Sequence, residues 1–168
     1  MIKKTTFAIA SLFFTVAQAQ IHIGPSQTYS NIQAAALAAV PGDTIYLHAG
    51  SYGGYQYAAN VKGTKANWIV ITRYKDDAID ISGGWQFSSM EFVKFEKLKF
   101  LGNTTYTGRF INIDNGGDCA TQSHHIIMDS CYFLNETDAS TSSTCKFGGV
   151  DTFEIRNCIL RNSATEGW

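Results

Sequence analysis

One pattern occurs three times in the second half of this chain, and it constrains the fold more than any other feature. Val93-x-Phe95-x-x-Leu98-x-Phe100 returns as Ile126-x-Met128-x-x-Cys131-x-Phe133 and then as Phe153-x-Ile155-x-x-Cys158-x-Leu160, at spacings of 33 and 27 residues. Each copy holds two short alternating pairs separated by a two-residue corner. Alternation sends successive side chains to opposite faces, so each pair belongs to a strand with one buried side. A two-residue corner bends such a strand without reversing it, which argues for short turning strands rather than hairpins. Self-similarity at a period of roughly 20–50 residues marks stacked solenoids. The expected architecture is therefore all-β, a right-handed parallel β-helix, with Ile155 facing the core and Lys99 facing out.

At 168 residues there is room for one domain. A hydrophobic content of 45 % with two prolines fits a folded chain rather than a disordered one. The net charge of −1 offers none of the basic surface that nucleic-acid binding requires. Residues 1–19 read as a signal peptide: Lys3 and Lys4, an apolar run over 7–16, then Ala17-Gln18-Ala19 as the cleavage site. The run is too short to span a bilayer and no second one follows. A secreted or periplasmic protein with no membrane span is expected, its β-helix domain covering residues 20–168.

Ser30-Asn31-Ile32-Gln33 has the form of a capping box, residues 34–40 are helix formers, and Pro41 ends the run. A helix over about 31–40 is marginal alone and is expected to cap the open first coil. Residues 43–47 are the expected first strand, 68–71 and 78–81 the next coil, and the three repeats complete about four to five coils. Gly102, Asn135 and Asn162 fall at one corner in register. Asparagine tolerates left-handed backbone, and its amide can bond the amide above, so Asn135 and Asn162 are expected to form a structural ladder. The residues after Asn162 stop in mid-coil without a capping element, and the chain is expected to be the N-terminal fragment of a longer β-helix.

Three segments carry a family resemblance: Tyr29-Ser30-Asn31-Ile32-Gln33-Ala34-Ala35, Pro41-Gly42-Asp43-Thr44-Ile45-Tyr46-Leu47-His48-Ala49-Gly50-Ser51-Tyr52, and Gly63-Thr64-Lys65-Ala66-Asn67-Trp68-Ile69-Val70-Ile71. They resemble the N-terminal portion of secreted right-handed parallel β-helix proteins, including the pectate-lyase-like and chondroitinase-B/alginate-lyase-like polysaccharide lyases. With the repeats, the similarity spans residues 21–168. It implies a carbohydrate-active solenoid, foremost a lyase cleaving an acidic, uronate-containing polysaccharide by β-elimination, with Ca²⁺ as the cofactor. The alternative it implies is a glycan-binding or adhesin-like β-helix without catalysis. No catalytic residue of those lyases maps onto this chain.

β-Elimination needs a base and a cation beside the uronate carboxylate. The outward ladder Glu96, Asp129 and Arg156, at equivalent corner positions and flanked by Lys94, Lys97 and Lys99, offers such groups. It reads either as a site for calcium and an acidic sugar or as a cross-rung ion pair of Asp129 with Arg156. In Asp114-Asn115-Gly116-Gly117-Asp118, the carboxylates of Asp114 and Asp118 are candidate metal ligands, the alternative being an Asx turn. His124 and His125 are neighbours expected on opposite sides of a strand. Tyr52, Tyr55, Tyr57, Trp85 and Tyr106 are candidates for stacking on sugar rings. Cys131 and Cys158 share an inward repeat position and are expected as stacked thiols. Cys119 and Cys145 lie in polar segments one coil apart and form a disulfide candidate in an exported protein.

Overall fold

The computed structural model describes residues 18–102, 109–135 and 144–163. Its strands are short, and every pairing is parallel to the equivalent strand one coil away. The first sheet runs β1 (Gln20–Ile23), β2 (Thr44–Leu47), β5 (Ile69–Arg73), β8 (Glu91–Glu96), β11 (Ser123–Asp129), β14 (Val150–Arg156). The second runs β3 (Gly50–Tyr52), β6 (Ile79–Ile81), β9 (Lys99–Leu101), β12 (Tyr132–Leu134), β15 (Ile159–Arg161). The third runs β4 (Gln56–Ala59), β7 (Trp85–Ser88), β10 (Ile111–Asp114), β13 (Cys145–Gly148). From β2 onward, hydrogen-bonded neighbours are three strands apart in the chain, so each coil contributes one strand to each sheet. The result is a parallel β-solenoid of about five turns. Among the described residues no helix is long and apolar enough to cross a membrane. Most of the predicted signal peptide (1–17), Tyr106 and residues 164–168 lie outside the described residues.

Register stacks like on like. Ile21, Ile45, Ile71, Phe95, Met128 and Ile155 form one inward column through the first sheet. Phe100, Phe133 and Leu160 form another in the second sheet, and Phe87, Ile113 and Phe147 a third in the last. The columns meet as rings: Phe100 lies flat on Phe133 at 5.0 Å, while Trp85 and Phe100 meet edge to face at 5.4 Å. Each fully buried ring contributes about 2–3 kcal/mol. In the last coil this protection falls away. Ile155 points inward as expected but is only half-buried, and Phe153 is 50 % exposed, because none of the described residues stacks on β14.

The three repeats are β8–β9, β11–β12 and β14–β15, as their alternation predicts. Their two-residue corners each place one residue in left-handed backbone: Lys97 (φ 54°), Ser130 (φ 56°) and Asn157 (φ 55°). Asn135 and Asn162 repeat the device at the next corner with φ 57° and 55°. A further left-handed position sits inside the strands of the first sheet, at Phe92, His125 and Thr152 (φ 50°, 55° and 55°). For side chains other than glycine or asparagine such a bend costs about 1–2 kcal/mol. Stacking of Phe92 on His125 at 4.4 Å offsets part of it. Where two corners touch, only glycine fits: a Cβ on Gly83 would lie 1.8 Å from the Gly54 carbonyl oxygen.

Three expectations change at the N-terminal end and among the cysteines. The first strand is β1, not residues 43–47. Gln20-Ile21-His22-Ile23 itself alternates polar and apolar side chains, and Ile21 and Ile23 complete the edge offered by Ile45 and Leu47. Helix α1 is Ile32–Ala38, shorter than expected, and its cap is Asn31 rather than Ser30, the Asn31 Oδ1 accepting from the Ala34 N–H at 2.9 Å. The helix buries Ile32, Ala35 and Ala36 beside β1 and β4, closing the first coil. Buried Asp43 accepts from the Ala19 and Val40 amides at 2.9 and 3.0 Å, tying β1 to the helix exit. Lastly, all four cysteines are free thiols. Cys119 sits in an exposed 3-10 turn (Cys119–Thr121), whereas Cys145 points into the core in register with Ile111, so the pair does not meet. Cys131 and Cys158 do stack, with the Cys131 N–H 3.4 Å from the Cys158 sulfur.

Two measurements check this core. Phe95→Ala is expected to cost about 3–5 kcal/mol and Phe153→Ala about 1 kcal/mol in urea denaturation; equal losses would contradict the register. With a thiol reagent, Cys119 is expected to react first and Cys158 second, the Cys131 thiol drawing Cys158 down to about 7. Hydrogen bonding to Cys158 together with burial pushes Cys131 up, and burial pushes Cys145 up, so both should react only on unfolding.

Candidate functional site

On the outer face of the first sheet, His22, Tyr46, Thr72, Glu96, Asp129 and Arg156 stand in one column. The predicted trio is thus the upper half of a ladder that runs the length of the solenoid. Asp129 is its hub. Its carboxylate accepts from Arg156 Nε at 2.9 Å, Ser130 Oγ at 3.0 Å and Asn157 Nδ2 at 3.1 Å, with Lys94 Nζ at 3.3 Å. The Asn157 amide foremost, then Arg156, Ser130 and Lys94, hold Asp129 far below the usual carboxylate range. Bonding to Asp129 and Glu154 raises Arg156 in turn. Glu96 faces Lys94 at 3.4 Å and Lys97 at 3.7 Å. A carboxylate so stabilised as an anion is a poor proton acceptor. The geometry is that of the ion-pair network.

The metal candidates are held apart by separate structural tasks. Asp114 ends β10 and accepts from Gly116 N at 2.9 Å, Gln86 Nε2 at 2.9 Å, Asn112 Nδ2 at 3.3 Å and the Ser88 hydroxyl. Asp118 instead caps the 3-10 turn, accepting from Ala120 N at 2.8 Å. Both make the Asx-type contacts that compete with ligation. Among the described residues no three His, Cys, Asp or Glu side chains converge as a metal ligand set. At the neighbouring corner, Asn162 Nδ2 donates to Asn135 Oδ1 at 2.9 Å, completing the amide ladder.

Two expectations about rings are overturned. Left-handed backbone at His125 interrupts the alternation of β11 and swings its ring toward His124, so their Nδ1 atoms lie 2.9 Å apart rather than on opposite sides. Trp85 is not a surface platform but a core residue, 1 % exposed. Tyr52 is half-buried and its hydroxyl donates to the His48 carbonyl at 2.6 Å. Tyr55 and Tyr57 are exposed on the rim of the third sheet.

A wide groove lies elsewhere, over the second sheet. It measures about 700 Å³, and its floor carries Asp80, Lys99 and Tyr132, with Lys97 and Arg73 on its sides. Lys99 and Tyr132 are in register on adjacent rungs, and Lys99 Nζ bonds the Asp80 carboxylate from the rung below. Tyr132 is 44 % exposed. The outward Asp80–Lys99–Tyr132 column could have been read from the repeat, since each residue adjoins an inward one. The wall could not, because the turn after β5 reaches over the sheet only in the folded coil. No protein-family model matches this chain, and no curated protein matches it significantly.

Asp129→Asn tests the network. Asp129 has a lower pKa folded than unfolded, so its contribution is present above the ordinary carboxylate value near 4 and lost as pH falls through the folded value. The substitution is expected to cost about 1 kcal/mol at neutral pH. The difference between wild type and variant should shrink in denaturation curves taken from about pH 5 toward pH 2.

Proposed function

We propose that this protein is exported and binds an acidic polysaccharide along the groove over the second sheet. The observation that carries the reading is the exposed Tyr132 ring stacked one rung from the Lys99 ammonium, in a groove that also presents Arg73 and Lys97. A pyranose can lay its apolar face on the phenol ring while its carboxylate takes the ammonium or guanidinium. Each cation already holds an internal carboxylate: Asp76 for Arg73 at 3.1 Å, Glu96 for Lys97 at 3.7 Å, Asp80 for Lys99. An incoming uronate therefore exchanges for a resident acid, which makes each contact weak and salt-sensitive. Affinity then comes from repetition along the polymer.

Catalytic β-elimination is the second reading, favoured by the family resemblance and by the same two residues. Lys99 would neutralise the uronate carboxylate while Tyr132, acting as the phenolate, takes the proton from the adjacent carbon and then returns it to the departing glycosidic oxygen. The electron pair left behind forms the carbon–carbon double bond as the glycosidic oxygen departs. Retardation in gels containing pectate, alginate or chondroitin measures binding, and ultraviolet absorbance of the unsaturated product measures cleavage. Tyr132→Ala and Lys99→Ala are each expected to weaken retardation about 5–10-fold; variants that bind like wild type would remove the groove from consideration. Absorbance that rises for wild type and not for Tyr132→Phe establishes elimination, and retardation without any rise leaves binding alone.

A further inference from the structure

All four histidines of the chain occur in touching pairs. His22 Nδ1 lies 2.8 Å from His48 Nε2, and His124 Nδ1 lies 2.9 Å from His125 Nδ1. Each pair has a carboxylate behind it: Asp77 Oδ2 is 3.4 Å from His48 Nδ1, and Glu91 Oε2 is 3.7 Å from His124 Nε2. We propose that His22 and His48 form a two-imidazole site for one divalent transition-metal ion, copper(II) or zinc(II). The inference is independent of the glycan reading.

Imidazole nitrogen suits these borderline ions. Two nitrogens at about 2.0–2.1 Å from one metal stand about 2.8–3.0 Å apart at square angles and about 3.3–3.4 Å apart at tetrahedral ones. The pair at 2.8 Å needs to open by at most a few tenths of an ångström. Asp77 completes the arrangement by facing the outer nitrogen of His48. With the proton on Nδ1, toward that carboxylate, the Nε2 lone pair is aimed at His22, as a metal-bound imidazole requires. Asp77 is itself positioned, its Oδ2 accepting the Ala49 N–H at 3.0 Å. Both rings are held in place, His48 stacked on Tyr74 at 4.4 Å and His22 on Tyr46 at 5.5 Å. The His48 side chain is 22 % exposed, so water can fill the remaining coordination positions.

The second pair is less suited. Its carboxylate is already taken by Lys62 at 2.6 Å, and the His125 ring is pinned flat on Phe92. Location adds a consequence: His22 lies on the edge strand β1 and His48 just after β2, so a shared metal would fasten the first strand to the corner of the next coil.

The test uses the full chain carrying His124→Gln and His125→Gln, so that one pair remains. Copper(II) is followed by electron paramagnetic resonance and zinc(II) by calorimetry and thermal melting. One equivalent is expected, with a two-nitrogen copper spectrum, tighter binding of copper than zinc, and a melting temperature that rises with zinc. Adding His22→Gln or His48→Gln should cut affinity at least about tenfold and leave one nitrogen, while Asp77→Asn should weaken binding about 10-fold. A copper spectrum with one nitrogen or none, or a two-nitrogen signal that survives His48→Gln in a folded variant, overturns the site. Should the glutamine variants not fold, the spectrum of the chain with both His22 and His48 intact decides alone.

Discussion

Parallel, in-register stacking imposes one condition on every position of this molecule: a side chain must be compatible with its own equivalent about 4.8 Å above and below. Inside, the condition is met by apolar groups of varied shape. Isoleucines at the start of the first-sheet column give way to Phe95 and Met128 further along it. Outside, the same condition turns isolated polar residues into columns. Glu96, Asp129 and Arg156 are single residues in three distant stretches of sequence, yet the stack makes them one electrostatic unit.

The corners obey the same rule. A bend that one coil makes must be made by the next, which is why left-handed backbone recurs at Lys97, Ser130 and Asn157 within a few degrees. Asparagine supplies that conformation cheaply and adds a lateral hydrogen bond, as Asn135 and Asn162 do. Where other residues occupy the position, neighbouring contacts compensate, and Phe92 lying on His125 is the clearest instance. That local bend has a chemical result, because it brings two imidazoles together that a regular strand would separate.

Function on such a scaffold is a matter of which columns face outward and what overhangs them. The Asp129 column is internally satisfied, its charges spent on one another. The Asp80–Lys99–Tyr132 column is also paired, but it lies at the floor of a groove and leaves an aromatic ring uncovered. Room and an open ring, rather than the number of charges, separate the proposed binding surface from the Asp129 network.

The repeat by itself determined the coil, the inward residues and the stacked asparagines, because period-two alternation and a fixed corner leave one way to bury the apolar face. It also placed Glu96, Asp129 and Arg156 in one column. It did not reach β1, which alternates but lies outside the repeated pattern, nor did it show the choice of Asn31 over Ser30 as the helix cap. Trp85 looked like a surface ring because it follows a glycine pair, yet its register with Ile111 sends it inward. The pairing of His22 with His48, 26 residues apart in the chain, and the groove walled by the turn after β5 were decided by tertiary structure alone. Such contacts depend on where each coil's corner falls relative to the next, and that offset is a property of the stacked whole rather than of any local stretch of sequence.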